Sequence, residues 1–145
     1  MSLTVVVQPH PVLDAGAFVC RLDRDLSTVT SPSTLSPHAP SPLNSSDAVK
    51  TAVRDLLRAG GFKPAGRSKP ASEYLTGALA EGRFPTINAL VDACNVASLH
   101  SGLPISLVDL DLVDGALTIQ IAPPGTSYPF NPTGQVIDVA GLICL

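Results

Sequence analysis

Three polar side chains in an otherwise apolar, small-residue segment are the first candidates for chemistry. Asn88, Asp92 and Asn95 are spaced four and then three residues apart, so on a helix they fall on one narrow stripe. Buried polar groups must be hydrogen-bonded, because leaving one unpaired costs about 1–3 kcal/mol. The stripe therefore either lines a cavity that admits a polar ligand or holds neighbouring loops, and spacing alone leaves both interpretations open.

A second group of candidates is basic and lies in one short segment. The chain carries a net charge of −3, which argues against a protein that grips nucleic acid with its whole surface. Between positions 50 and 69, however, the only acid is Asp55. The same segment holds six of the nine cations of the chain: Lys50, Arg54, Arg58, Lys63, Arg67 and Lys69. The first three, four residues apart, are typical of the wet side of an amphipathic helix. Arg67 and Lys69 lie in a predicted loop and favour a phosphate-bearing ligand.

Other common chemistries find little support. Neither GxGxxG nor GxxxxGK[ST] occurs, and the three histidines are scattered, so we expect no cofactor and no metal. Cys94 lies off the polar stripe, which favours a buried structural thiol over a nucleophile. Asp109 and Asp111 fall on one face of a predicted strand, where they are either a carboxylate pair or ordinary solvent-facing acids.

Composition bounds the class of protein. The 145 residues fit one domain, 1–145, and an apolar fraction of 45% excludes general disorder. Two Tyr, four Phe and no Trp weaken any model of RNA binding by rows of stacked bases. Three cysteines without a CxxC pair indicate free thiols in a reducing compartment. We expect a soluble, cytoplasmic protein without a membrane partner; the sequence leaves its oligomeric state open.

Periodicity predicts helices in the middle of the chain and strands at both ends. Helices are predicted at 47–59, 70–81 and 86–101, and strands at 3–7, 17–22, 107–112, 117–121 and 135–145. Ser46 or Asp47 is expected to cap the first helix and Ser68 the second. The 31–46 segment, rich in Pro and Ser, is a loop, and the bluntly apolar C-terminus predicts a truncated or buried end. The fold class is α+β: mostly antiparallel strands, partly barrel-like, with about three helices.

The run INALVDACNVASLHSGLPISLVDLD, followed by DGALTIQIAPPG, resembles the tRNA-binding and editing domain of the phenylalanyl-tRNA synthetase β chain, its B-three/four module. The shared pattern is V-D-x-x-N, G-x-P, D-L-D and G-x-[LI] before a strand and a Pro/Gly turn. Small free-standing relatives of that module are similar also in the upstream KPAGRSKPASEYL segment. The resemblance covers about residues 50–145.

The resemblance implies an activity and a set of site residues. It implies binding of aminoacylated tRNA 3′ ends and hydrolysis of a misacylated ester. Asn95 matches the family's pocket asparagine, and Ser106 stands where the synthetase has a histidine; these are the implied catalytic positions. An aminoacyl ester is already activated, so Asn95 and backbone amides could orient its carbonyl for attack by water. Asp109 and Asp111 match the family's D-L-D motif. The candidate substrate-binding residues are these two, Asn88 and Asp92 of the stripe, and Arg67 and Lys69, whose charges could hold the terminal phosphates.

Three interpretations of function stay open at this point. The first is a free-standing deacylase acting on misacylated tRNA. The second is a non-catalytic tRNA or RNA-binding module, which the missing histidine favours. The third is a pocket for a free amino acid or similar metabolite, which is compatible with the net acidity and the scarce aromatics.

Overall fold

The computed structural model describes residues 4–32 and 35–145, with the side chain of Arg67 left out. The described residues form two compact units. Unit 1 combines the chain up to Val19 with Asp55–Pro64 and Leu110–Leu145, and unit 2 combines Cys20–Arg54 with Ala65–Asp109. The single domain predicted for 1–145 stays a prediction. In the part of the chain described, no helix has both the length and the apolar character needed to cross a membrane.

The helices lie in the middle of the chain, as predicted. They are α1 (Asp47–Ala59), α2 (Ala71–Ala80) and α3 (Ala89–Ser101). The first eight residues of α1 belong to unit 2, and α2 packs against α3. The buried apolar residues of this unit come one or more from each helix: Val53, Leu75, Ala89, Val96 and Leu99. Short 3-10 helices at Leu26–Thr28 and Gly66–Ser68 complete its regular structure as far as it is described.

Helix α1 begins and ends where its sequence predicts. The hydroxyl of Ser46 accepts a hydrogen bond from the Val49 N–H at 3.3 Å, and the Ser46 carbonyl accepts one from Lys50 at 3.0 Å. Val53 is buried, while Lys50 and Arg58 are exposed. The chain leaves the helix at Gly61, whose φ of +88° suits glycine. The prediction that Ser68 caps helix α2 is wrong, because the helix starts after Pro70, which is its N-cap residue.

Glycine is required at the end of α3. Gly102 has a φ of +77° and donates its N–H to the Ser98 carbonyl at 2.9 Å. A Cβ at this position would lie 2.8 Å from Ser45 Oγ and 3.2 Å from Val49 Cγ1, both in the same unit. Close packing and backbone conformation therefore both select glycine here, and they fix the chain direction after α3.

Unit 1 contains two small sheets. The strands are β1 (Val5–Val7), β2 (Leu117–Ile121), β3 (Ser127–Pro129), β4 (Val136–Asp138) and β5 (Ile143–Cys144). In the first sheet β2 is central, parallel to β1 (Val6 opposite Thr118) and antiparallel to β5 (Gln120 opposite Cys144). Strands β3 and β4 form an antiparallel hairpin. The α+β class with mostly antiparallel pairing is confirmed, and within the described residues neither sheet closes into a barrel.

Two strand predictions are wrong for want of a pairing partner, and a third is interrupted by a turn. Residues 17–22 are irregular, with Phe18 90% exposed, because no strand pairs with them in the described chain. Residues 107–112 do not form a strand, since β1 and β5 already occupy both edges of β2, the next strand along the chain; a 3-10 helix, Leu110–Leu112, forms instead. The predicted strand 135–145 is divided into β4 and β5 by a turn at Gly141, whose φ is +77°.

Candidate functional site

Asn88 is the N-cap of α3 rather than a residue of its first turns. Its backbone is extended, with φ −157° and ψ 165°. Its side-chain oxygen accepts a hydrogen bond from the Val91 N–H at 3.0 Å. One of the free N–H groups that every helix leaves at its start is thereby satisfied. The hydrogen-bonding capacity of this oxygen is used to start the helix.

Asp92 is a buried carboxylate that binds two segments of its own unit. It is 7% exposed. Its Oδ1 accepts a hydrogen bond from the Ile87 N–H at 2.8 Å, and its Oδ2 accepts a longer one, 3.4 Å, from the Ser31 hydroxyl. The first bond fixes the approach to the helix, and the second is a long contact with the start of the Pro/Ser-rich loop. Of the two interpretations of the stripe, loop-holding describes what Asp92 does.

Other polar side chains of α3 also bind backbone groups. The Ser98 hydroxyl donates to the Leu103 carbonyl at 2.6 Å. His100 Nε2 lies 3.1 Å from the Pro37 carbonyl oxygen, to which it donates when that nitrogen carries the hydrogen. Helix α3 is therefore tied at two points, through Asp92 and His100, to the loop that the sequence predicts between residues 31 and 46.

The two catalytic residues implied by the resemblance, Asn95 and Ser106, do not contact each other through a hydrogen bond. Asn95 is half-buried in the middle of α3, and Ser106 is exposed in the irregular stretch after the helix. In the described part of the chain no hydrogen bond links them, and neither side chain has a hydrogen-bonding partner. Asn95 is thus the one member of the predicted stripe, as far as the structure describes it, whose amide is not engaged by the protein.

Asp109 and Asp111 do not share a strand face. Asp109 precedes the 3-10 helix Leu110–Leu112, and Asp111 lies in its first turn; both are exposed. The alternation of leucine and aspartate predicts a strand, but Leu107 and Leu112 are 48% and 85% exposed, so no sheet face buries that side. The carboxylate pair inferred from strand geometry therefore does not form on a strand.

Unit 2 also contains a group of charges that we call the basic cluster: Lys50, Arg54 and Lys69 around Glu73. Arg54 of α1 and Glu73 of α2 form a two-pronged ion pair, with Nε–Oε1 and Nη2–Oε2 distances of 2.7 Å. These hydrogen bonds from Arg54 hold the pKa of Glu73 below its usual range, and the positive charges of Arg54, Lys50 and Lys69 lower it further, against the opposing effect of burial. The three cations thus act on one carboxylate, and the four side chains together carry a net positive charge.

The side chains of the cluster differ in how freely they can meet a ligand. The Arg54 and Glu73 side chains are 31% and 14% exposed and are occupied with each other. Lys50 and Lys69 are exposed. Lys69 Nζ lies 5.4 Å from the centroid of the Tyr74 ring, an aromatic side chain in the first turns of α2. Lys50 and Lys69 are therefore the cations of the cluster that are available to an anion.

The sequence predictions for this segment have mixed outcomes. Lys69 lies in the cluster, whereas the side chain of Arg67 is outside the described residues. The sequence favours Lys50 and Arg54 as ordinary solvated helix residues, and it does not single out Glu73. An acid in the first turn of α2 is a visible signal, but its pairing with α1 depends on how the two helices pack.

Unit 1 holds a hollow of about 10 Å³ whose lining includes Gln8, His10, Ile119 and Gln120. It has room for about one water molecule, and none of the residues predicted for a site lines it. Among residues 4–32 and 35–145, no group of three or more His, Cys, Asp or Glu side chains is arranged to hold a metal. This hollow is therefore too small to bind an acylated adenosine.

The chain was compared with protein-family models, with curated proteins and with solved structures, and no match was found in any of the three. Function is therefore inferred from the chain's own residues and from the motif resemblance.

Proposed function

We propose that this chain is an RNA-binding module related in kind to the tRNA-binding domain of the phenylalanyl-tRNA synthetase β chain, and that it holds RNA phosphates on the basic cluster. The observation that carries the proposal is the cluster itself. In a chain of net charge −3, Arg54 pairs with Glu73, and the positive charges of Lys50 and Lys69 also act on that carboxylate. Such a local positive surface attracts a polyanion although the protein as a whole is acidic.

Binding is supported better than hydrolysis. Asn88 and Asp92 use their side-chain oxygens to cap α3 and to hold its flanking segments. Ser106, where the family has a histidine, is exposed and is not hydrogen-bonded to Asn95. Deacylation needs a water and oxyanion donors held in place around the ester carbonyl. Two of the three side chains of the polar stripe, Asn88 and Asp92, are therefore already hydrogen-bonded within the fold.

A deacylase is the second candidate, and one observation favours it. Asn95, the match to the family's pocket asparagine, is half-buried and has no hydrogen-bonding partner among the described residues. A half-buried amide without an internal partner is available to a ligand carbonyl. In this alternative Asn95 orients the ester of a misacylated tRNA, and the tRNA's own ribose hydroxyl assists.

Binding is tested by measuring the affinity of the full chain for tRNA at several salt concentrations. A variant with Lys50→Gln and Lys69→Gln should bind about tenfold more weakly at low salt. The slope of log K against log salt should also fall by about 1–2, since each phosphate contact contributes about one unit. Arg24→Gln is the matched control, because Arg24 is an exposed cation that pairs locally with Asp23. Equal affinity and slope for wild type and the double variant would contradict the proposal.

Catalysis is tested separately with a panel of misacylated tRNAs. A binding module should leave ester half-lives unchanged. If the wild type shortens the half-life for some tRNA and Asn95→Ala abolishes that effect, the second candidate is correct. Ser101→Ala is a suitable comparison on the same helix, because its hydroxyl donates to the Ala97 carbonyl within the helix.

A further inference from the structure

Tyr74 combines exposure with a position beside a cation. It lies next to Glu73 in α2 and is 45% exposed, and Lys69 Nζ lies 5.4 Å from its ring centroid. An ammonium group at that distance interacts favourably with the face of the ring. Proteins that bind single-stranded nucleic acid combine exposed aromatic rings with nearby cations, because bases stack on the ring while cations contact the backbone.

The other tyrosine of the chain has a different setting. Tyr128 in β3 is also 45% exposed, but its ring meets Phe130 edge-on, with centroids 6.5 Å apart and planes at 70°. Exposure of an aromatic ring is therefore common to both tyrosines, and among the described residues only Tyr74 has a cation over its ring.

We propose that Tyr74 is a stacking platform for one unpaired nucleobase, with Lys69 and Lys50 contacting the flanking phosphates. The inference rests on the proposed RNA-binding function and narrows its ligand to RNA with a single-stranded segment. In a duplex the base faces are covered by neighbouring pairs, so the ring gains little from double-stranded RNA. With two Tyr, four Phe and no Trp in the chain, a single platform fits the composition better than a row of stacked bases.

The chemistry also favours RNA over an acidic polypeptide at this surface. Lysines alone would serve a polyglutamate as well as a phosphate backbone, because both present negative charges in water. Stacking, in contrast, requires a planar base, and it contributes to affinity without sequence specificity since every base has a π-face. Dependence on both the ring and the base is therefore the signature that separates this proposal from a general anion-binding surface.

The experiment compares wild type with Tyr74→Ala, Tyr74→Phe and Tyr128→Ala by fluorescence anisotropy. The probes are a labelled single-stranded adenosine RNA of about eight nucleotides, a blunt RNA duplex of equal charge, and polyglutamate of equal charge. Tyr74→Ala should weaken single-strand binding about tenfold and leave duplex binding unchanged. Tyr74→Phe keeps the ring and should bind like wild type, and Tyr128→Ala should also bind like wild type. Urea unfolding of each variant checks that the fold is intact.

A test on the ligand side needs no variant at all. Replacing every nucleotide of the single strand by an abasic site keeps the phosphates and removes all the bases, so the fully abasic strand should reproduce the tenfold loss. If wild type binds RNA in a salt-dependent way but neither Tyr74→Ala nor removal of the bases weakens it, the platform is wrong while RNA binding stands. Equal affinity for polyglutamate and for the single strand would likewise contradict the platform. If wild type binds no RNA at low salt, both proposals are wrong.

Discussion

The polar stripe of α3 (Asn88, Asp92 and Asn95) and the basic cluster belong to the same unit, but their polar groups interact in opposite ways. On α3, Asn88 and Asp92 direct their oxygens to N–H and hydroxyl groups of the chain around them. In the basic cluster, Arg54 is matched to Glu73, but Lys50 and Lys69 remain exposed beyond that pair. The first region has used most of its hydrogen-bonding capacity in folding, and the second retains uncompensated positive charge.

This difference shows why spacing on a helix is an ambiguous signal of function. A stripe of amides and carboxylates looks the same in sequence whether it faces a ligand or its own loops. Burial decides between them, because a buried carboxylate needs internal partners whereas an exposed ammonium group does not. Asp92 at 7% exposure belongs to the first kind, and the exposed Lys50 and Lys69 belong to the second.

The largest expected effect is on stability, at Asp92. Asp92→Ala should lower the free energy of unfolding by about 2–3 kcal/mol, because the Ile87 N–H and the Ser31 hydroxyl lose a buried charged acceptor. Urea denaturation with a fixed m-value would measure it. Asn95→Ala, less than one turn further along α3, is the matched control and should change stability by less than about 0.5 kcal/mol. A variant at Asp92 that unfolds like wild type would return that residue to the candidate site.

A smaller effect is expected at the start of the same helix. Asn88→Ala removes the oxygen that accepts from Val91 and should cost about 1 kcal/mol of stability. Asn88→Ser keeps a capping oxygen and should stay close to wild type, which thermal unfolding of the pair would resolve. If the alanine and serine variants were equally stable, the capping hydrogen bond of Asn88 would not stabilise the fold. The contrast between the polar stripe and the basic cluster would then weaken.

How far the sequence predicts this molecule depends on how local each interaction is. Helix α1 occupies the predicted residues 47–59, because its apolar face, the Ser46 cap and the glycines after Ala59 are all neighbours in sequence. Helix α3 begins at Ala89 and not near 86, because Asn88, which the spacing places on the helical stripe, has an extended backbone. An asparagine ahead of an apolar run is equally typical of an N-cap, and as a cap it leaves only two residues on the stripe.

Strand pairing and the basic cluster are less accessible from sequence for one common reason. Strand β1 pairs with β2, more than a hundred residues later in the chain, and alternation predicts which side of a strand is apolar without naming its partner. Likewise the excess of cations at 50–69 is visible in the sequence, but the pairing of Arg54 with Glu73 requires two helices to pack together first. Local patterns therefore predict elements, and the contacts between elements that build the candidate site come from the structure.

The smallest expected effect is at Glu73, and it divides into two parts of opposite sign. Glu73→Gln removes the carboxylate that pairs with Arg54, so stability should fall by about 0.5–1 kcal/mol. The same change removes the one acid of the basic cluster, so affinity for RNA at low salt should rise about threefold. Glu81→Gln is the control, since Glu81 follows the last residue of α2 and pairs with Arg83 at an exposed site. It should move neither quantity.

The pH dependence of unfolding separates the structural part of the Glu73 effect from the binding part. Because the pKa of Glu73 is lower in the folded chain, its contribution is fully present above the ordinary glutamate pKa of about 4.3 and is lost as the pH falls through the lowered value. The stability gap between wild type and Glu73→Gln should therefore close as the medium is acidified from neutral to below that window. A gap that stays constant would mean that the carboxylate charge is not what stabilises the contact between α1 and α2. A variant that lost stability without gaining RNA affinity would show instead that Lys50 and Lys69 do not contact the polyanion. The basic cluster would then, like the polar stripe of α3, serve to stabilise the fold.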